Sequence, residues 1–115
     1  MNIKYQMKEK YSMKELYDLT QAPDIDKMTN HKDETLEISN YLVYEKDDGK
    51  GGNMCVCVIS TPQGETVATN SSTFIRAFTD ILDMAAVAGE TIHTVQILSG
   101  ISKSGRNFIT CKLIA

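Results

Sequence analysis

The chain has 115 residues, 42% hydrophobic and 23% charged, with a formal net charge of −3 and an isoelectric point near 5.3. That balance belongs to one globular domain, with little room for a second. No apolar run approaches the ~20 residues of a membrane helix, and an acidic chain does not coat duplex DNA by bulk charge. A local basic patch stays open.

The N-terminal MNIKYQMKEKYSMKEL has no apolar stretch of the kind a secretory signal needs. Residues 1–30 set Lys4, Lys8, Lys10, Lys14 and Lys27 against Glu9, Glu15, Asp18, Asp24 and Asp26, five against five, and hold Tyr5, Tyr11 and Tyr17. Ser12-Met-Lys-Glu15 has the form of a capping box, which predicts a short helix over residues 13–20. Ala22-Pro23 then stops it. Residues 1–33 are too polar to fold alone. They are expected to form an arm that packs on the domain or stays mobile, and that the domain, residues 34–115, can lose without unfolding.

From Thr35 the pattern turns to β. In TLEISNYLVYE, Leu36, Ile38, Leu42 and Tyr44 alternate with Glu37, Ser39, Val43 and Glu45, the period of one half-buried strand. Residues 46–53 form a Gly- and charge-rich loop. MCVCVIS (residues 54–60) is apolar on both faces and reads as a central strand. Thr61-Pro-Gln-Gly64 is a turn, and residues 65–69 return from it.

Asn70-Ser-Ser72 offers helix caps. Phe74, Phe78, Ile81, Leu82 and Ala85 then make one apolar stripe on a helix over residues 72–88, with Gly89 placed to end it. Residues 93–99 and 107–114 are two further strands joined by a loop with two glycines and two cations. The predicted order is β-β-β-α-β-β. That is the order of a five-stranded oligonucleotide/oligosaccharide-binding (OB) barrel with one helix. An open α+β sandwich with the helix across one sheet is the alternative.

Enzymatic constellations fail quickly. G-x-S-x-G, H-E-x-x-H, Walker A and G-x-G-x-x-G are all absent. Asp47-Asp48 and Asp80 with Asp83 read as solvated acids. No active site and no cofactor are expected. Cys55, Cys57 and Cys111 are an odd count with only His31 and His93 beside them, so they read as reduced thiols packed in a cytoplasmic protein's core rather than as metal ligands.

The cations are more informative. Residues 91–115 contain Lys103, Arg106 and Lys112 and no acid. On the last strand, Phe108, Thr110 and Lys112 alternate with an apolar set, Ile109, Cys111 and Leu113. Tyr41 is expected to face out while Tyr44 packs. Lys46 and Lys50 lie in the first loop, diluted by Asp47 and Asp48. A single strand of nucleic acid needs cations along its phosphates and aromatic faces for its unpaired bases. An OB fold presents these on the face of its second and third strands and on the loops joining strands 1–2 and 4–5. The candidate binding residues are therefore Tyr41, Lys46, Lys50, Lys103, Arg106, Phe108 and Lys112.

ETLEISNYLVYE, VATNSSTFIRAF and SGISKSGRNFITCKL give residues 34–115 a texture that resembles small single-stranded-DNA-binding proteins encoded by phages and mobile elements of Gram-positive bacteria. The resemblance implies an OB fold, a cytoplasmic location, no catalysis, and single-stranded DNA (or RNA) as partner during replication, with replication or host proteins nearby and no membrane. The sequence ends Cys-Lys-Leu-Ile-Ala and not in the acidic tail by which cellular homologues recruit partners, so tail-mediated recruitment is not expected. A non-catalytic protein-interaction domain on the same barrel, with the arm as its contact, is the alternative function.

Overall fold

Ser12 and Ser71 start the two helices. Ser12 Oγ accepts the Glu15 N–H at 3.1 Å while the Glu15 carboxylate accepts the Ser12 N–H at 3.0 Å, the reciprocal bonds read from the sequence. Helix α1 is Met13–Thr20. Ser71 Oγ caps α2, Ser72–Ala88, which ends where Gly89 takes a left-handed φ of 70°. The buried stripe of α2 is Phe74, Ile75, Phe78, Ile81 and Leu82.

The computed structural model describes residues 1–115, and the chain is mostly β. Strands β1 (Asn2–Gln6), β2 (Asp26–Lys27), β3 (Thr35–Glu37), β4 (Asn40–Asp47), β5 (Asn53–Ser60), β6 (Thr66–Thr69), β7 (Thr94–Ile101) and β8 (Asn107–Leu113) are joined in places by α1, α2 and a 3₁₀ turn at Met28–His31. They form two sheets, ordered β1-β4-β5-β6-β2 and β3-β7-β8. The expected barrel of five strands is not closed by hydrogen bonds. No helix is long and apolar enough to cross a membrane.

The first difference from the sequence reading lies in TLEISNYLVYE, which is two strands and not one. β3 pairs with β7 and β4 pairs with β5, so this segment leaves one sheet and enters the other. The corner falls at two residues. The Ile38 N–H donates to the His93 carbonyl at 2.8 Å, and the next N–H, that of Ser39, donates to the Ser60 carbonyl at 2.8 Å. A strand that changes sheets through a bend is the way orthogonally packed sheets share a corner.

The bend inverts the faces. Leu36 and Ile38 lie in the main core with Val43, Cys57, Ile59, Val67, Phe74, Phe78, Val95, Ile97 and Ile109. Leu42 and Tyr44, in phase with them along the chain, lie in a second core on the opposite side of the larger sheet with Leu19, Val56 and Val58. MCVCVIS is thus covered on both faces, as its composition requires. Cys57 and Cys111 are buried, and Cys55 is half-buried on the same side as Cys57. Burial pushes all three thiols up, Cys111 to about 12.

Residues 1–33 pack on the domain. β1 adds to one end of the larger sheet and β2 to the other. A bulge between Ile3 and Tyr5 turns these two residues to opposite faces, so that Ile3 joins the second core and Tyr5 the first. Leu19 of α1 is 3% exposed, and Met28 is fully buried in the main core. The expected dispensability of this segment therefore meets two buried anchors that its polar composition concealed.

His31 fastens the same segment. Its Nε2 lies 2.8 Å from Asp26 Oδ2, and its Nδ1 lies 3.1 Å from Glu34 and 3.6 Å from Glu65. Only an imidazolium can donate from both ring nitrogens. The Glu34 hydrogen bond, with Asp26 in support and against the cost of burial, holds the imidazole above its ordinary value. The Asp26 carboxyl is held low, first by Asn30 and then by His31.

A raised histidine stabilises the fold fully below about pH 6.5 and loses that contribution as pH rises through its folded value. The Asp26 share is lost only in acid, as pH falls through its lowered value. The thermal midpoint is therefore expected to fall between about pH 6 and pH 8 in the parent and to lose that fall in His31→Gln. Identical profiles for the parent and His31→Gln would contradict the clasp.

Candidate nucleic-acid interface

The β7–β8 hairpin turns on its own backbone. The Ser102 N–H donates to the Arg106 carbonyl at 2.8 Å, and the Gly105 N–H donates to the Ser102 carbonyl at 2.9 Å. Ser102 Oγ accepts the Arg106 N–H at 3.2 Å. Gly105 takes φ +82°, which a residue with a Cβ rarely adopts. This tight tip leaves Lys103 and Arg106 exposed, and neither side chain forms an ion pair.

Along β8, Ile109 and Cys111 are buried, which turns Phe108, Thr110 and Lys112 to the other face. Across the ladder, Gly100 stands opposite Phe108, Leu98 opposite Thr110, and Gln96 opposite Lys112. A Cβ on Gly100 would come within 2.6 Å of Phe108 Cζ. The Phe108 ring thus rests over the glycine backbone, half-buried and outside both cores. The hairpin carries no acid of its own. Asp33 reaches it from the β3 side, where its carboxylate accepts the Ser99 N–H at 3.4 Å.

Lys103, Arg106, Phe108 and Lys112 therefore lie on one hairpin, and the other candidates lie elsewhere. Lys46, at the end of β4, and Lys50, in the loop after it, are exposed. In that loop Asp47 accepts the Gly49 N–H at 2.7 Å and Asp48 accepts the Lys50 N–H at 2.7 Å, so the acids are bound into the loop's own turns. β7 pairs its start with β3 and runs on past the Thr35 end, whereas residues 48–52 lie beyond the Asp47 end. The two loops leave opposite ends of the sheet-switching segment and do not form one patch along it.

Tyr41 departs from the expected orientation. Instead of facing out it packs against the main core, its ring 5.5 Å from that of Phe78 in an edge-to-face contact, and burial raises its hydroxyl pKa. The physical reason is the bend at Ile38 and Ser39. It puts Tyr41 and Val43 on the inner face and Leu42 and Tyr44 on the outer one. Tyr44 packs as expected, but under the arm.

The outer face of β4, β5 and β6, on which an OB fold is expected to bind, is also taken. Leu19 and Leu16 of α1, with Tyr11 and Ile3, cover Leu42, Tyr44, Val56 and Val58. The Tyr11 hydroxyl donates to Asn40 Oδ1 at 2.7 Å, and Lys8 pairs with Glu15 across this cover. Beside it lie a hollow bordered by Lys27, Met28, Val56 and Asn70 and another bordered by Glu15, Leu19, Asn40 and Ser60.

Sequence reasoning missed Gly100, whose role appears only when it is paired with Phe108, and Arg76. Arg76 sits on the polar side of α2 near Asp80 and Asp83, where a lone cation reads as a solvated face. No signal along the chain separates it from one. No family model matches this chain, nor does any curated protein or solved structure.

Proposed function

We propose that this chain is a non-catalytic, cytoplasmic protein that binds single-stranded nucleic acid with little sequence preference, as a phage or mobile element uses to protect single strands during replication. One observation carries the reading. Lys103, Arg106 and Lys112, none in an ion pair, flank an aromatic ring held outside the cores on an acid-free hairpin. Cations there meet phosphates and release counterions, while the ring offers a base its face.

The segment shared between the two sheets, followed by β5, β6, α2, β7 and β8 in that order, supports a partly open OB barrel as the scaffold. In that reading the hairpin is the loop joining barrel strands 4 and 5, and the arm replaces ligand on the face of strands 2 and 3. Lys46 and Lys50 are then peripheral contacts.

Replacing Lys103 and Arg106 together with Ala tests the reading by fluorescence anisotropy on labelled oligo(dT). Binding is expected to weaken and the slope of log K against log salt to flatten by about 1.4, two contacts at roughly 0.7 each. Phe108→Ala is expected to cost ~1–3 kcal/mol with little change of slope. A double variant that binds as tightly as the parent at low salt would place the ligand elsewhere.

A protein-interaction role is favoured by a different observation. Met84 of α2 is 63% and Leu113 of β8 47% exposed, and the two border one hollow with Ile81, Ala85 and Ile92. An apolar group of this kind suits a polypeptide better than a phosphate backbone.

A further inference from the structure

The outer face of β8 does not stop at the ladder. Thr110, between Phe108 and Lys112 on that face, also borders a cleft of about 420 Å³ whose other lining residues are Ser72, Thr73, Arg76, Ala77 and Asp80 of α2. Arg76 is exposed and forms no ion pair, although Asp80 lies one turn further along the same helix. The competing path, across the outer face of β4, β5 and β6, is filled by Leu16, Leu19 and Tyr11. A strand leaving Phe108 along β8 thus meets an open polar cleft with a free guanidinium.

We infer that a bound single strand runs from the hairpin tip along β8 into the cleft between β8 and α2, where Arg76 takes a backbone phosphate. This rests on the single-strand reading above. The guanidinium fork suits two phosphate oxygens at once, and the Thr73 and Thr110 hydroxyls are donors that position a backbone without reading its bases. Asp80 opposes the same phosphate. It therefore limits affinity in this cleft.

The test is anisotropy of labelled oligo(dT) across a salt series with four single variants of the full chain. Arg76→Gln is expected to weaken binding several-fold at low salt and to flatten the salt slope by about 0.7, one phosphate contact on a single strand. Arg76→Lys keeps the charge and is expected to keep the slope, with part of the affinity. Asp80→Asn is expected to bind more tightly than the parent. Lys14→Gln, which makes the same change of net charge on α1, is expected to leave both quantities unchanged. Thermal midpoints equal to the parent's confirm that each variant is folded.

If the parent binds and the Lys103/Arg106 variant is weakened, but Arg76→Gln matches Lys14→Gln in affinity and slope, the cleft is not on the path. The function reading would then stand without it. If the parent binds no single strand at all, that reading fails and this inference falls with it.

Discussion

Phe78→Asp is expected to leave no cooperative thermal transition. Phe78 is fully buried at the centre of the main core, with Tyr41 edge-on at 5.5 Å and Phe74 stacked at 6.1 Å. Truncating such a ring alone costs about 3–5 kcal/mol. A carboxylate in its place adds the cost of an unpaired buried charge, several kcal/mol more. A domain of this size has only about 5–15 kcal/mol in total. Val87→Asp, on the same helix but 92% exposed, is expected to leave the midpoint within a few degrees. Calorimetry on the two variants checks both, and an unchanged midpoint for Phe78→Asp would mean that another face of α2 is buried.

Removing residues 1–33 is expected to have an effect of similar size. The deletion takes Met28 out of the main core and Leu19 off the second. It also uncovers Leu42, Tyr44, Val56 and Val58 and strips both outer strands from the larger sheet. Loss of one buried Met or Leu costs about 2–5 kcal/mol, and two losses with an exposed apolar sheet exceed typical stability. The remaining chain is expected to bind a hydrophobic dye and to melt without a sharp transition. A cooperative melt close to the parent's would show that the arm is a passenger.

Where the determinants of structure are local, the sequence was legible. Ser12 and Glu15 sit three apart and make their reciprocal bonds within one turn, and the stripe from Phe74 to Leu82 needs only the helical period. The corner at Ile38 and Ser39 could not be read. Leu36, Ile38, Leu42 and Tyr44 all fall on even positions, interrupted only at Asn40, so they read as one face while the cores they enter exchange. That one bend moved Tyr41 from a stacking platform to a core contact. The arm misled differently. Its burial rests on two apolar residues, Leu19 and Met28, among balanced charges, and composition averages such anchors away. At the candidate site, Phe108 and Lys112 were legible because strand alternation sorts β8 into an apolar face and a polar one, and Lys103 and Arg106 because they lie in the Gly-containing, acid-free loop before it. Arg76 was not, because its partner face comes from a strand some thirty residues away in the chain.

The measurement that bears most directly on single-strand binding is the affinity of the full chain for labelled oligo(dT), set beside duplex of the same length, from low to moderate salt. The single strand is expected to bind more tightly than the duplex, with log K falling linearly with log salt. The slope is expected near −3, about 0.7 for each of the four phosphate contacts from Lys103, Arg106, Lys112 and Arg76, and near −2 if Arg76 lies off the path. No binding to oligo(dT) at low salt, or equal binding to single strand and duplex, would contradict the single-strand reading.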